Sequence, residues 1–215
     1  LKGRRVWLEE VTRVRRAFDF IDAHYYTPRL IEQGALDEWK KALPGKEFLS
    51  TETGIPDAGF VWKGVTPEVG GTTKKQAQDL VKYATALFHA GYSKLFFYLY
   101  DFDDVPGTDD PWEHMGLITR ENQKKPSFDA YKTMIRKVDY FTGIEKLGDG
   151  QYMYTFPDKG SVYVLWSGPA GGTVPSDLKG AVRITDHLGN ELVMPVSRIV
   201  LTESPIFAEA ATGKR

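Results

Sequence analysis

Glu52 stands at the end of an apolar run, Glu47-Phe-Leu-Ser-Thr-Glu52, and His24, Tyr25 and Tyr26 stand at the end of another, Phe18-Asp-Phe-Ile-Asp-Ala-His-Tyr-Tyr26. Tyr98, Tyr100 and Asp101 close a third, Lys94-Leu-Phe-Phe-Tyr-Leu-Tyr100. Carboxylate, imidazole and phenol are the groups of nucleophilic and acid–base chemistry, the carboxylate attacking while hydroxyl and ring N–H donors hold it in place. Taken singly, Glu52 could cap the turn that follows it, and His24 could be a partly buried structural histidine. What points to a site is that three successive strand ends each carry such groups. Ligands of barrels and open α/β sheets bind beyond the carboxyl ends of their strands.

Other clusters carry less. Asp101, Asp103, Asp104, Asp109, Asp110 and Glu113 form an acidic loop, but an EF-hand reading fails because Pro106 stands where the loop glycine belongs and Trp112 where the bidentate Glu belongs. His89, His114 and His187 lack ligand spacing, so no metal site is expected. No phosphate-binding glycine pattern follows a strand, and no nucleotide cofactor is expected.

The elements that must position these groups alternate. Val6, Trp7, Val11 and Val14 keep helical spacing; the strand ending at Tyr26 follows, then a helix over Leu30–Leu43 stopped by Pro44-Gly45. After the strand ending at Glu52 comes a Gly-rich loop to about Thr72. Ala77, Leu80, Val81, Ala84, Leu87 and Phe88 then mark a helix ended by Gly91. Lys94–Tyr100 is apolar enough to predict a strand buried on both faces. A loop over 101–125 leads to Pro126, a good first-turn residue, and to Phe128, Tyr131, Ile135 and Val138 on one helical stripe. Strand–helix, three times over, means parallel strands with right-handed crossovers. Three strands cannot close a barrel of eight, so the region is a small open sheet or part of a larger barrel.

After Gly143 the pattern changes to short strands at Tyr152–Phe156, Ser161–Trp166, Ala181–Thr185, Glu191–Met194 and Ile199–Leu201, with turns at Asp158-Lys-Gly160, Gly171-Gly172 and Leu188-Gly-Asn190. This predicts an antiparallel unit, half of a sandwich. The expected division is residues 1–141 for the α/β part and 142–215 for the β-domain.

Composition narrows the partners. In 215 residues, 28 Lys and Arg balance 29 Asp and Glu for a net charge of −1, which argues against nucleic acid. No run is long and apolar enough for a membrane span. The absence of Cys excludes disulfides and thiol chemistry, and is compatible with secretion or with cytoplasm. The chain opens at Leu1 without Met, which implies a start within a longer sequence.

The motifs together resemble clan A glycoside hydrolases, nearest in flavour to the β-xylosidase and α-L-iduronidase family or its cellulase-like relatives. Glu47-Phe-Leu-Ser-Thr-Glu52-Thr-Gly54 resembles the seventh barrel strand, which carries the catalytic nucleophile, and Asp22-Ala-His24-Tyr25-Tyr26 the sixth. Phe97-Tyr-Leu-Tyr100-Asp101 resembles the eighth, and Lys125-Pro-Ser-Phe-Asp-Ala-Tyr131 the opening of the last barrel helix. Asp186-His-Leu-Gly-Asn190 and Leu201-Thr-Glu-Ser-Pro205-Ile206 resemble late strands of the attached β-domain.

The resemblance implies the C-terminal portion of a (β/α)8 TIM barrel followed by a small antiparallel β-sandwich domain. It implies retaining hydrolysis of a β-linked glycoside, without cofactor or metal. Glu52 is then the nucleophile, held by His24 and Tyr26, with Trp62, Tyr98, Tyr100 and Trp112 facing sugar rings; Trp62, Tyr100 and Trp112 could equally anchor loops. The acid/base of the family sits in an Asn-Glu pair ending the fourth strand, and no Asn-Glu precedes Phe18. The acid is therefore expected from a missing N-terminal half or a second polypeptide, and the chain is not expected to be an independent monomer. A non-catalytic carbohydrate-binding or remnant module is the alternative.

Overall fold

The computed structural model describes residues 2–26, 31, 34, 36–57, 70–98, 111–168 and 172–211, with backbone only for 2–7 and 111–112. Helix α1 (Lys2–Arg13) leads to strand β1 (Phe20–Asp22), helix α2 (Asp37–Ala42), β2 (Glu47–Thr53), α3 (Thr73–His89), β3 (Tyr92–Phe97) and α4 (Pro126–Val138). Six antiparallel strands follow: β4 (Gly143–Gly148), β5 (Gln151–Thr155), β6 (Val162–Leu165), β7 (Ala181–Asp186), β8 (Glu191–Pro195) and β9 (Ile206–Ala210). A mixed α/β molecule results, with a parallel sheet ordered β1-β2-β3 and an antiparallel sheet ordered β4-β5-β6-β9-β7-β8.

Several elements depart from the sequence expectation. The first strand shrinks to three residues, because beyond Asp22 the backbone leaves the ladder after one further bond, Ala23 N–H to Leu49 O at 3.0 Å. Of the helix expected over 30–43, the described part is chiefly Asp37–Ala42. β3 is not buried on both faces: Lys94 is exposed and Phe96 is 54% exposed, and among the described residues β3 is an edge of its sheet. Gly143–Gly148 forms a strand that its two glycines conceal, paired with β5 from Gly143↔Thr155 onward. Ile199–Leu201 is not a strand; it follows a 3-10 turn at Val196–Arg198, and Leu201 packs into the core.

Helices α3 and α4 lie between the two sheets and share one hydrophobic cluster with both. It runs from Phe48 and Tyr92 through Leu80, Val81, Leu87, Met134 and Val138 to Tyr154, Val162, Val164 and Phe207. This double contact explains why α3 buries Gln76, Gln78, Asp79 and Thr85 as well as its apolar stripe. Each of the first three has a partner elsewhere: Gln76 Nε2 donates to Ile55 O at 2.9 Å, Gln78 Nε2 to Ser204 Oγ at 2.6 Å, and Asp79 Oδ2 accepts from Gly70 N–H at 2.9 Å. A second cluster, Leu165, Val182, Ile184, Leu201 and neighbours, belongs to the antiparallel sheet alone.

Candidate active site

β2 delivers Glu52 through an irregularity. Between Ser50↔Leu95 and Thr53↔Phe97 the pairing advances three residues on β2 for two on β3. Such bulges re-aim side chains and recur beside active sites. Here Thr51 and Glu52, adjacent in sequence, both contact the end of β1 or the segment that follows it. Thr51 N–H donates to Asp22 Oδ1 at 2.9 Å, and its hydroxyl bonds Asp22 Oδ2. Tyr26 O–H donates to Glu52 Oε1.

His24 takes a different place from the one expected. Its Nε2 lies 3.1 Å from Asp22 Oδ2 and 3.0 Å from Thr51 Oγ1, whereas Nδ1 is 3.9 Å from Glu52 Oε2, beyond hydrogen-bond distance. The imidazole thus stands between two carboxylates, bonded to Asp22 and facing Glu52.

The segment after β1 has no ladder of its own, and two buried tyrosines hold it. Tyr83 of α3 donates to Tyr25 O, and Tyr92 of β3 donates to Ala23 O at 2.9 Å. Thr53 Oγ1 also reaches Tyr25 O, at 3.3 Å. Burial pushes both phenols above their ordinary pKa, so they stay donors. Sequence reasoning missed this pair, because a tyrosine within an apolar helix or strand reads as core; their carbonyl partners lie 58 and 69 residues away.

Electrostatics separates the groups. Burial, followed by the hydrogen bond to Glu52, pushes the Tyr26 phenol well above its usual value, with Tyr98 close enough to contribute. Tyr26 therefore faces Glu52 as a neutral donor. For Asp22, burial works against ionisation, but the hydrogen bonds from Thr51 and His24 outweigh it and hold the carboxyl below its ordinary value.

Beyond Glu52 the chain turns on Gly54, which packs so closely against the Tyr98 carbonyl and Met115 that a Cβ would lie 2.7 Å from the Met115 sulfur. The loop is then fixed by a buried pair, Lys125 Nζ to Asp57 Oδ2 at 2.6 Å, and by Asp57 N–H to His114 O at 2.8 Å.

The structure thus brings Glu52, Tyr26, His24 and Tyr98 together and adds Asp22 and Thr51. Trp62, Tyr100 and Asp101 lie outside the described residues, and Trp112 falls on a 3-10 turn, Pro111–His114, known by its backbone alone. Among the described residues no group of three or more His, Asp or Glu could hold a metal ion, and no helix is long and apolar enough to cross a membrane.

No family model matches the sequence, and no curated protein matches it. Solved structures do match. A family 39 glycoside hydrolase from Bacteroides cellulosilyticus aligns with 84% of this chain and 37% of its own length, at a TM-score of 0.60 and 19% identity. SrfJ from Salmonella typhimurium aligns with 96% and 44%, at 0.53 and 14% identity. A glucosidase from Croceicoccus marinus aligns with 95% and 56%, at 0.52 and 12% identity. The chain spans about two fifths to just over half of these proteins, and at such identities the likeness is one of fold: the parallel sheet, its helices and the antiparallel sheet together have a glycoside hydrolase-like fold.

Proposed function

We propose that this chain is the C-terminal portion of a retaining glycoside hydrolase acting on the O-glycosyl bond of a β-linked glycoside. Residues 1–141 supply part of a (β/α)8 barrel and residues 142–215 an appended antiparallel β-domain of sandwich type. The observation that carries the reading is Glu52 at the end of β2, accepting from a neutral Tyr26 and facing His24.

Glu52 attacks the anomeric carbon as the leaving oxygen takes a proton from a second carboxyl group, and water then releases the sugar from the covalent intermediate. Tyr98 is the described aromatic proposed to contact the sugar, and Trp62, Tyr100 and Trp112 are proposed as sugar-binding residues from the sequence resemblance alone. The second carboxyl group needs a raised pKa and a position roughly 5–5.5 Å from the nucleophile. Asp22 does not suit it: its pKa is lowered, and Thr51 and His24 occupy its oxygens. The acid comes from polypeptide outside the described residues, either a missing N-terminal half or a second chain.

In the completed enzyme, Glu52→Gln should lower turnover of aryl β-glycosides by at least about a thousandfold with folding intact. Rates like those of the wild type would exclude this role. The unsuitability of Asp22 as an acid also favours a second reading, a carbohydrate-binding module without catalysis. There, Trp62→Ala or Trp112→Ala would weaken sugar binding and Glu52→Gln would not.

A further inference from the structure

Asp22 and Thr51 between them decide which nitrogen of His24 carries the ring proton. The Nε2 atom lies 3.1 Å from Asp22 Oδ2 and 3.0 Å from Thr51 Oγ1. A threonine hydroxyl has one proton, and that of Thr51 is donated to Asp22 Oδ2. Asp22 is held ionised below its ordinary pKa, so it has no proton to give. Both neighbours of Nε2 are therefore acceptors, and Nε2 must be the donor. A neutral imidazole has one N–H and one lone pair, so Nδ1 keeps the lone pair. Nδ1 is the ring nitrogen 3.9 Å from Glu52 Oε2, while the Tyr26 O–H goes to Oε1 of the same carboxylate.

We propose that Asp22 is a positioning residue acting on Glu52 through His24: it keeps the ring proton on Nε2 and so leaves Oε2, to which no described residue donates, as the oxygen that attacks. The role of Oε2 rests on the reading of Glu52 as a nucleophile. In that step Oε2 forms its bond to the anomeric carbon as the bond from that carbon to the leaving oxygen breaks. The leaving oxygen takes its proton from the second carboxyl group, and the Nε2 proton stays in place.

Local structure supplies the lock. Asp22 is the last residue of β1, opposite Leu49, and His24 stands two residues further on. The irregularity of β2 between Ser50 and Thr53 carries Thr51 to the same carboxylate, where its N–H donates to Oδ1 at 2.9 Å. That bond makes asparagine the informative substitution. The carbonyl oxygen of an asparagine has to face the Thr51 N–H, which puts its amide NH2 in the place of Oδ2. The amide then donates to Nε2, and the ring proton moves to Nδ1, towards Oε2. An aspartate fixes a catalytic histidine in the same way in Ser-His-Asp triads, where the change to asparagine gives the wrong tautomer and lowers kcat about 10⁴-fold.

The tautomer is readable in this chain by itself, which has 4 histidines. At about pH 9 an ordinary imidazole, of pKa about 6.5, is neutral. In nitrogen-labelled protein, long-range proton–nitrogen correlations then distinguish its N–H from its bare nitrogen. Loss of one set of signals in His24→Gln identifies the ring. The expected result is an N–H at Nε2 in the wild type and at Nδ1 in Asp22→Asn, with the other rings and the far-ultraviolet dichroism unchanged. A wild-type ring protonated at Nδ1, or a folded Asp22→Asn that keeps its proton on Nε2, would overturn the proposal. Should Asp22→Asn not fold, the wild type decides alone, by a nuclear Overhauser effect between an exchange-protected Nε2 proton and the Thr51 methyl group. Its presence supports the lock, and its absence overturns it.

Kinetics of the completed enzyme keeps the lock apart from the hydrolase reading. There, Asp22→Asn should lower kcat at least about tenfold with KM little changed. Full turnover in Glu52→Gln removes the hydrolase, and the role of Oε2 with it, and leaves the tautomer standing. A reversed tautomer with wild-type kcat, in an enzyme that Glu52→Gln inactivates, keeps the hydrolase and overturns the role of Oε2.

Discussion

The two carboxylates around His24, Asp22 and Glu52, are held differently. Tyr26 offers Glu52 one O–H, while Asp22 takes two bonds from Thr51 and one from the imidazole. A hydrogen bond to a charged group contributes about 1.5–3 kcal/mol, so Tyr26→Phe in the completed enzyme should lower kcat about ten- to a hundredfold with KM little changed. Steady-state kinetics on the wild type and Tyr26→Phe measures this. For Asp22 the consequence is pH dependence. Its folded-state pKa lies below the unfolded one, so its ionised form stabilises the fold above the ordinary carboxylate value of about 3.9, and that contribution disappears as pH falls through the lowered value. Asp22→Asn should therefore be less stable than the wild type in urea at pH 7, and the difference should vanish in acid.

Among the elements, the loop after β2 depends on one close approach and one buried ion pair. Gly54→Ala drives a Cβ against the Tyr98 carbonyl and Met115 and should cost about 1–3 kcal/mol, read from urea midpoints. The Lys125 and Asp57 side chains are 3% and 6% exposed. Burial pulls the lysine pKa down against the pull of Asp57 in the other direction. Removing one partner strands the other, so Lys125→Met should cost about 3–5 kcal/mol, and adding Asp57→Leu should recover most of it. Neither feature could be read from the sequence. Gly54 and Asp57 sit in an irregular Gly-Ile-Pro-Asp stretch, and Lys125 stands 68 residues from its partner. The helices were legible where an amphipathic stripe or Pro126 marked them, and the structure adds Thr72 as the N-cap of α3. β4 was not, because Gly143 and Gly148 break the strand pattern, and its register comes from pairing with β5.

At the scale of the whole molecule, a single core cluster spans the parallel sheet, α3, α4 and the antiparallel sheet. Phe207 is fully buried in it on β9. Phe207→Ala should lower stability by about 3–5 kcal/mol, and far-ultraviolet dichroism and tryptophan fluorescence should still report one coincident thermal transition. Two separated transitions would show that the layers fold independently.

The sequence by itself determined the alternation of strands and helices, the change to short antiparallel strands after Gly143 and the placing of Glu52 near the end of its strand, whereas the strand expected through Tyr26 stops at Asp22. Hydrophobic periodicity and turn chemistry are local, and they survive without knowledge of neighbours. Tertiary structure alone decided that Tyr26 rather than His24 bonds Glu52, that His24 belongs to Asp22 and Thr51, and that Tyr83 and Tyr92 hold the segment carrying them. His24 and Asp22 apart, those contacts join residues 26 to 69 positions apart, and a bulge of one residue in β2 sets which side chains meet. Distances of that kind are products of register and packing, which no local pattern encodes.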